Sequence, residues 1–373
     1  MIIPMVDLRA QYASLKEKID SAVLEVLRDA DFINGKAVYE FTNNLQKYLG
    51  IKHVIPCANG TDALILALLA LDLKPEDEVI VPDFTFAAPA EAAALLGLTP
   101  IFADVLPDTF CIDPASIERN ITNRTKAIIA VHLFGQYADM AAINSIAKKY
   151  NLMVIEDAAQ ALGAKTAQDE AGGITLEAAG VKNIYCTSFF PSKNLSCYGD
   201  GGACFTNDDM LAEKIKILAH HGSRIKYNHE VTGINSRLDT LQAAILNVKL
   251  PYLDKWNKRR VEIAEKYTKA LAAAQRVKCP VAGVHSKHIF HQYTILLQDE
   301  KTRNGLKEYL AQNGIASTIY YPYPIHTQKA YATAADCPVT TDLCKRVLSL
   351  PIYPELTEEQ IKYITDTLKS YLL

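Results

Sequence analysis

The chain has 373 residues, of which 49% are hydrophobic and 22% are charged, and its formal net charge is −3. A chain of this length exceeds what one small core can organise, so two domains are expected. The balanced charge, with neither a basic excess nor an acidic tail, argues against a nucleic-acid partner.

The eight cysteines include no CxxC pair. In a chain of this size their scatter argues against a disulfide framework and against a zinc site. The histidines show no HExxH pattern, and no metal site is predicted. The first ten residues include Asp7 and Arg9, unlike a secretory signal, and no apolar run is long enough to span a bilayer. We therefore expect a cytoplasmic protein with no membrane partner.

Apolar strands alternate with helical patterns from residue 59 to residue 206. The predicted elements are helix 61–71, strand 78–81, helix 87–96, strands 100–103 and 126–131, helix 139–150, and strands 152–156, 184–189 and 203–206. Continuous apolar strands between helices indicate a mostly parallel sheet that is covered on both faces. The predicted class is α/β.

The pattern of predicted elements changes beyond residues 279–280. The patterns predict helices at 208–220, 237–249 and 253–274, then strand 292–297, helix 301–313, strand 315–321 and a final helix from residue 357. We expect residues 1–250 to form a large domain, with about the first 12 residues as an N-terminal arm. Residues 251–373 would form a smaller C-terminal α+β domain.

Lys193 is the most informative residue, because it lies in the apolar segment 188–194 just before the glycine-rich run 199–202. Burying an ammonium group is costly. Enzymes that place a lysine in such surroundings usually lower its pKa, so that the free amine can form a Schiff base with a carbonyl. Pyridoxal 5'-phosphate (PLP) needs such a lysine, an acid for its ring nitrogen and a cup for its phosphate. A P-loop is excluded, because the lysine precedes the glycines.

Two other patterns could supply the acid and the cup. Asp157 ends an apolar strand, where ligands of open α/β sheets collect, and an acid there can keep a pyridine nitrogen protonated. A helix cap or an ion pair is the plainer interpretation of Asp157. The run 59–62 opens a helix, whose N-terminus favours a phosphate, although a simple N-cap is the plainer interpretation here.

Gln160 and two phenylalanines could complete such a site. Gln160 can donate to a ring hydroxyl, or it can be an ordinary surface amide. Phe84 and Phe86 follow the strand that ends at residue 81. Either ring can stack on an aromatic cofactor or pack in the core.

Together these stretches resemble the sugar aminotransferases of the DegT/DnrJ/StrS type, a branch of the fold type I PLP enzymes in the aspartate aminotransferase superfamily. The matching stretches are 59–64 (NGTDAL), 82–86 (PDFTF), 156–160 (EDAAQ), 188–194 (SFFPSKN) and 233–239 (GINSRLD). The resemblance covers essentially the whole chain. It implies a large domain with a mostly parallel sheet between helices, and a smaller C-terminal α+β domain.

The resemblance implies a role for each matching residue. Lys193 corresponds to the lysine that binds PLP covalently and moves the proton, and Asp157 corresponds to the acid at the ring nitrogen. Gln160 corresponds to the partner of the ring hydroxyl. Phe86 corresponds to the aromatic residue that stacks on the cofactor ring. The residues that bind the cofactor phosphate correspond to Gly60, Thr61, Ser188 and Asn235. The family's equivalent of Asn235 comes from the neighbouring subunit, which implies a homodimer with shared active sites.

The implied reaction transfers an amino group from L-glutamate to a keto-sugar of a nucleoside-diphosphate sugar, with PLP and its amino form PMP as cofactor. The candidate substrate-binding residues are Arg224, Lys226, Arg237, Tyr321 and His326. The cations suit phosphate, and the loop 320–326 resembles the family's substrate-facing loop. A proline-rich surface loop is its plainer interpretation.

The position of amination is implied by two parts of the chain. The segment 221–237 resembles enzymes that act on C3 of dTDP-linked 3-keto-6-deoxyhexoses. The segment 192–202 resembles enzymes that aminate UDP-linked 3-keto hexuronic acids. C3 is therefore favoured over C4. A non-catalytic PLP-binding regulator of the same fold is the other alternative, while the related dehydratases carry histidine in place of Lys193.

Ser196 departs from the family pattern, in which glycine is usual. A side chain at this position could crowd the turn beside Lys193. We expect the serine to be tolerated if its φ is negative and to be costly if the turn requires a positive φ.

Overall fold

The computed structural model describes residues 1–166 and 183–373. Its α-helices are α1 (Leu8–Asp29), α2 (Lys36–Leu49), α3 (Gly60–Ala70), α4 (Ala88–Leu95), α5 (Pro114–Arg119), α6 (Met140–Tyr150), α7 (Asp209–Ala219), α8 (Thr240–Lys249), α9 (Leu253–Leu271), α10 (Glu300–Gln312), α11 (Pro338–Arg346) and α12 (Glu358–Leu372). Its strands are β1 (His53–Cys57), β2 (Glu78–Pro82), β3 (Thr99–Ala103), β4 (Thr125–Val131), β5 (Met153–Asp157), β6 (Lys165–Thr166), β7 (Asn183–Ser188), β8 (Gly202–Thr206), β9 (Ser223–Ile225), β10 (Asn228–His229), β11 (Val277–Lys278), β12 (Ser286–Lys287), β13 (Tyr293–Leu297) and β14 (Val347–Leu350).

A seven-stranded sheet in the order β1-β8-β7-β5-β4-β2-β3 forms the centre of the molecule. Strands β7, β5, β4, β2 and β3 are parallel, whereas β8 is antiparallel to both β7 and β1. The predicted α/β class with a mostly parallel sheet is confirmed. The sequence patterns did not predict β1. It carries Pro56 and occupies an edge of the sheet, where a missing N–H is tolerated.

Both faces of the sheet are buried, which explains the unbroken apolar strands. In β4, Ala127 and Ile129 pack with α3, α4 and α7 on one face. Ile128 and Ala130 pack with α5 and α6 on the other face. Side chains alternate between the faces of a strand, so a sheet covered on both sides needs apolar residues at every position.

The carboxyl ends of the parallel strands bring chemically active residues to one edge of the sheet. Asp157 ends β5 and pairs with Val131 on one side and Cys186 on the other. β7 ends at Ser188 and leads into the turn that carries Lys193. Ligand sites of open α/β sheets form at this edge.

A second core lies towards the C-terminus, where β11, β13 and β14 form an antiparallel sheet. It packs with α9, α10 and α12, and Ile3 from the N-terminus is buried in the same cluster. The N-terminal residues are attached here by a bridge between Ile3 and Ile315. The division of the chain at residue 250 stays a prediction.

The prediction of a strand at 315–321 is wrong. This segment pairs only at isolated bridges, Ile315 with Ile3 and Thr318 with Ser349. β14 is the edge strand of its sheet, yet Thr318 alone pairs with it, so the segment does not run alongside β14 as a strand. Two predicted helices are shorter than expected, because α8 begins at Thr240 and α9 ends at Leu271. In the described ranges, no helix has both the length and the apolar character needed to cross a bilayer.

Candidate active site

Asp157 and Lys193 form the centre of the candidate site. Asp157 is buried at the end of β5, and burial raises the pKa of its carboxyl, an effect that the Ala159 N–H and Lys193 oppose. Lys193 is partly exposed on its turn. Desolvation lowers the pKa of its ammonium, and only the Asp157 carboxylate opposes that effect. The structure therefore brings these two predicted residues together as mutually stabilising charges.

The strand behind Asp157 is held by a buried polar pair. His132 Nδ1 accepts from the Ala138 N–H at 3.2 Å, so its Nε2 carries the hydrogen that is donated to Glu156 at 2.9 Å. The other Glu156 oxygen accepts from Asn183 Nδ2 at 2.6 Å. The backbone N–H of His132 also donates to the Asp157 carbonyl at 3.0 Å. These bonds fix the strand end that presents the Asp157 carboxylate.

The turn that carries Lys193 is closed by its own backbone. The Phe189 N–H donates to the Gly201 carbonyl at 2.7 Å, and the Cys197 N–H donates to the Phe189 carbonyl at 2.8 Å. The Lys193 N–H donates to the Phe190 carbonyl at 2.8 Å. A turn closed at these three points holds the Lys193 side chain in a limited range of positions.

Gln160 and Tyr321 are brought together from distant parts of the chain. Gln160 Oε1 accepts from the Phe134 N–H at 2.9 Å, and Gln160 Nε2 donates to the Tyr321 hydroxyl at 3.1 Å. The Tyr321 ring packs against Phe84 and Phe134. Burial raises the pKa of Tyr321, so its hydroxyl stays protonated. The plain interpretation of Gln160 as a surface amide is wrong, because its side chain is buried.

The N-terminus of α3 lies against the end of β7. Asn59 caps the helix by accepting from the Asp62 N–H at 2.8 Å, so the plain capping interpretation holds for Asn59. The N–H groups of Gly60 and Thr61 have no acceptor among the described residues. A Cβ at Gly60 would lie 2.7 Å from the Ser188 Cβ. Only glycine fits this approach, and it leaves free N–H groups beside a hydroxyl, an arrangement that favours a phosphate.

The two phenylalanines of the segment 82–86 have different environments. Phe84 is buried in the core, whereas the side chain of Phe86 is 58% exposed. A large aromatic ring left in solvent at the carboxyl edge of the sheet is available for stacking on a cofactor. Phe86, and not Phe84, is therefore the ring that can take the predicted stacking role.

His326 is anchored by Asp83, a residue that the sequence analysis did not single out. Asp83 accepts from His326 Nδ1 at 2.6 Å and from the His326 backbone N–H at 2.8 Å. The donor atoms of Asp83, His326 and Cys337 lie within 4.8 Å of one another, a spacing that could suit a metal. Both Asp83 oxygens are already satisfied by His326, so hydrogen bonding accounts for this cluster. The only earlier signal for Asp83 was its place in the PDFTF stretch.

Two of the predicted substrate cations, Arg224 and Lys226, have contacts that do not involve Lys193. Arg224, on β9, forms ion pairs at 3.6 Å with Glu213 and with Glu230. Lys226 is exposed, with its ammonium 5.1 Å from the centre of the Tyr227 ring. Neither set of contacts joins these cations to Lys193, and their substrate role stays a prediction.

Asn235 and Arg237 lie closer to the phosphate cup. Ser236, between them, accepts from the Ala58 N–H at 3.1 Å, which places this loop beside the start of α3. Asn235 is exposed. Arg237 has a buried Nε with no hydrogen-bond partner among the described residues. The exposed Asn235 amide is accessible to a ligand, whereas the Arg237 Nε is closed to solvent.

A chain of buried amides behind Lys193 was missed by the sequence analysis. His291 Nδ1 donates to Asn194 Oδ1 at 2.8 Å, and Asn194 Nδ2 donates to Asn257 Oδ1 at 2.6 Å. Asn257 Nδ2 donates to the Leu162 carbonyl at 3.3 Å. Burial lowers the pKa of His291 well below its usual value, so the ring is neutral. No local pattern could have revealed this chain, because its members are distant in sequence.

The arrangement fits the predicted cofactor. PLP requires an amine, an acid, a stacking surface and an anion site. The described residues offer each of them: Lys193, Asp157, Phe86, and the free N–H groups of Gly60 and Thr61 beside Ser188. The roles of these individual residues stay predictions.

The pKa shift of Asp157 predicts a dependence of stability on pH in the protein without cofactor. Because the folded pKa is raised above the ordinary value of 3.8, the folded state holds this proton more tightly than the unfolded state does. The carboxyl carries no penalty below that value, and it opposes folding increasingly as pH rises through the folded pKa. Asp157→Asn should match the wild type near pH 4 and exceed its free energy of unfolding near pH 7, as measured by urea denaturation.

Asp299, a carboxyl whose pKa is lowered instead of raised, serves as the control. The Thr302 N–H, as the largest cause, lowers the pKa of Asp299, the N-cap of α10. Asp299→Asn should therefore lose stability near pH 7. An Asp157→Asn protein that is less stable than the wild type at pH 7 would contradict the assigned environment of Asp157.

Comparison with known proteins identifies the family. Residues 13–369 match the model of the DegT/DnrJ/EryC1/StrS aminotransferase family. A UDP-N-acetyl-3-dehydro-alpha-D-glucosamine 3-aminotransferase of Acidithiobacillus ferrooxidans is 46% identical over 99% of this chain and 98% of its own. A UDP-2-acetamido-2-deoxy-3-oxo-D-glucuronate aminotransferase of Pseudomonas aeruginosa is 43% identical over 97% of this chain and 98% of its own. A "pleiotropic regulatory protein" of Geobacillus stearothermophilus is 45% identical over 100% of this chain and 99% of its own.

Solved structures agree. S. venezuelae DesV superposes with a TM-score of 0.94 and is 36% identical, covering 100% of this chain and 98% of that one. NtdA from Bacillus subtilis, solved with bound cofactor PMP, has a TM-score of 0.91 and 33% identity, covering 100% of this chain and 85% of that one. The predicted cofactor, PLP/PMP, is confirmed at the level of the family. The chain belongs to the DegT/DnrJ/EryC1/StrS aminotransferase family.

Proposed function

We propose that this chain is a PLP-dependent aminotransferase that transfers the amino group of L-glutamate to C3 of a 3-keto sugar carried on a nucleoside diphosphate. The observation that carries the proposal is the pairing of Asp157 with Lys193 at the carboxyl edge of the sheet. A lysine with a lowered pKa and a buried acid, placed next to an open helix N-terminus, are the groups that transamination requires.

The relatives support the choice of substrate. The Acidithiobacillus and Pseudomonas proteins are both named for amination of a UDP-linked sugar with a 3-dehydro or 3-oxo group. A UDP-linked 3-keto sugar is therefore our first choice, and a dTDP-linked 3-keto-6-deoxyhexose is the second. A C4-specific enzyme is the remaining catalytic alternative.

Each proposed residue has one physical task when the cofactor is bound. PLP supplies an electron-withdrawing ring that weakens the bond to the proton on the adjacent carbon. Asp157 keeps the ring nitrogen protonated, and Gln160 binds the ring hydroxyl. Phe86 covers one face of the ring. Gly60, Thr61 and Ser188 hold the phosphate through N–H and hydroxyl groups.

Lys193 has the central role in proton transfer. Its Nζ would move the proton from the carbon that bears the donor's amino group to the cofactor, and would move a proton from the cofactor to C3 of the sugar in the second half of the reaction. The Asp157 carboxylate attracts its ammonium form, while desolvation favours the free amine. Desolvation thus favours the uncharged Nζ, which is the form that a general base requires. Tyr321 and His326 border the substrate side, supported by Gln160 and by Asp83.

We further propose that the enzyme works as a homodimer in which Asn235 binds the PLP phosphate of the neighbouring subunit. Asn235 is exposed although its neighbour Ser236 is buried against the start of α3. Arg224, Lys226 and Arg237 would bind the substrate diphosphate in the completed site. We place the reaction in the cytoplasm, in keeping with eight free cysteines.

A non-catalytic regulator of the same fold is the alternative from another class. The relative from Geobacillus is named a regulatory protein. The geometry supports catalysis instead, because the regulator would have no need for the neutral amine that desolvation favours at Lys193.

The first test is the absorbance spectrum with PLP, before and after L-glutamate. The wild type should show a yellow band that bleaches on addition of glutamate, as the amino form of the cofactor accumulates. Lys193→Ala should fold normally and lose transamination by at least about 100-fold, because it lacks the general base. Lys301→Ala, an exposed lysine of α10, is the control and should behave like the wild type. A band that ignores glutamate would favour the regulator.

The choice of substrate is tested with a panel of keto-sugar nucleotides. They are added to protein whose cofactor has first been converted to the amino form by L-glutamate. Return of the yellow band should be at least about tenfold faster with a UDP-linked 3-keto sugar than with its 4-keto isomer, since the relatives act at C3. The dTDP-linked 3-keto sugars should fall between them. Preference for a 4-keto sugar would overturn the C3 proposal.

The shared site is tested by mixing two inactive variants. Lys193→Ala and Asn235→Ala chains, once subunits exchange, should form mixed dimers with one site that has both wild-type residues. Activity should then recover to about a quarter of the wild-type value, the share of such sites expected for random mixing. Each variant alone, treated in the same way, is the control. No recovery despite demonstrated exchange would assign Asn235 to its own subunit's site.

A further inference from the structure

Lys249 is a buried cation that the proposed reaction does not use. It is the last residue of α8 and is 0% exposed. Its Nζ donates to Ser196 Oγ at 3.3 Å and lies 4.1 Å from the centre of the Tyr198 ring. None of the ion pairs among the described residues includes Lys249. Burial lowers its pKa to about 8, so the side chain is largely charged at neutral pH.

A buried ammonium without an ion-pair partner within 4 Å opposes folding, and the Glu355 carboxylate attracts Lys249 only from a greater distance. One hydroxyl and one aromatic face do not replace the water that the group loses, and an apolar residue of similar length would pack at lower cost. Fold stability therefore does not account for a lysine at this position.

The hydrogen bond and the ring contact of Lys249 are both made with the turn that carries Lys193. Ser196 and Tyr198 follow Lys193 within the stretch closed by the Phe189–Gly201 and Cys197–Phe189 backbone bonds. Gln242, two turns earlier on α8, accepts from the Tyr198 N–H at 2.8 Å. Gln242 and Lys249 thus lie on the same face of α8. This face contacts the turn at Tyr198, through Gln242, and at Ser196, through Lys249.

Ser196 explains why this contact is particular to the chain. The position usually has glycine in the family that the sequence resembles, and here the serine is buried without a positive φ. Because the φ of Ser196 is not positive, the turn accepts the serine side chain without backbone strain, as the sequence predicted for that case. Its hydroxyl is the hydrogen-bond acceptor of Lys249, a contact that glycine could not make.

We propose that Lys249 is a positioning residue for Lys193, which it holds in place through the Ser196 hydroxyl and the Tyr198 ring. This inference rests on the proposed role of Lys193 as the residue that binds PLP covalently. Lys249 would act through this turn and not through the cofactor or the substrate. It limits the movement of the turn, and so the orientation of the Lys193 amine.

The test compares Lys249→Met, Ser196→Ala and the double variant as purified full-length proteins. Two quantities are measured: the thermal midpoint without PLP, and the PLP dissociation constant from absorbance titration. Lys249→Met should keep or raise the midpoint, because a buried charge is removed, yet weaken PLP binding by about tenfold, the size of one charged hydrogen bond. Ser196→Ala should weaken binding in the wild-type background and have no further effect in Lys249→Met.

Ser116→Ala is the matched control. Ser116 is equally buried, and its hydroxyl accepts from the Asp104 N–H at 2.9 Å, away from the Lys193 turn. It should leave PLP binding unchanged. An unchanged dissociation constant in Lys249→Met, a loss of binding that only parallels a fall in the midpoint, or an undiminished effect of Ser196→Ala in the double variant would each overturn the proposal.

A separate experiment tests the premise that PLP is bound covalently by Lys193. Borohydride reduction followed by peptide mass measurement locates any covalently bound PLP in the wild type. Attachment at Lys193 upholds the premise whatever Lys249→Met does. Attachment elsewhere would overturn the role of Lys193, and this proposal with it.

Discussion

The attraction between the Asp157 carboxylate and the Lys193 ammonium is the interaction on which the site depends. Desolvation disfavours each charge on its own, since it raises the pKa of Asp157 and lowers that of Lys193. Each charge partly offsets this effect on the other. Because each charge is unfavourable without the other, the surrounding structure must keep the two side chains close together.

That support comes from several directions. His132 and Glu156 fix the strand end before Asp157, while backbone bonds close the turn around Lys193. The buried chain from His291 through Asn194 and Asn257 links this turn to the C-terminal part of the molecule. The site is supported both by the central sheet and by the C-terminal part of the molecule. It is therefore preorganised, and little reorganisation is needed when charge moves during a reaction.

Sequence patterns were reliable where local chemistry decides the structure. The buried strands of the central sheet were predicted because a doubly covered sheet requires apolar residues throughout. The pattern failed at 315–321, where the segment is apolar enough for a strand but pairs with the edge strand β14 at Thr318 alone. It also missed β1, whose Pro56 is tolerated only because the strand lies at an edge. Pairing partners and edges are properties of the assembled sheet.

The sequence by itself determined the fold class and the family, and it singled out Lys193 and Asp157 as candidates for the site, because both lie in local motifs whose chemistry can be recognised without coordinates. Only the tertiary structure decided which groups surround them. Asp83 with His326, Asn194 with His291, and Ser196 with Lys249 are pairs drawn from distant segments. The physical reason is that hydrogen bonds and burial depend on spatial proximity, which a local pattern does not encode.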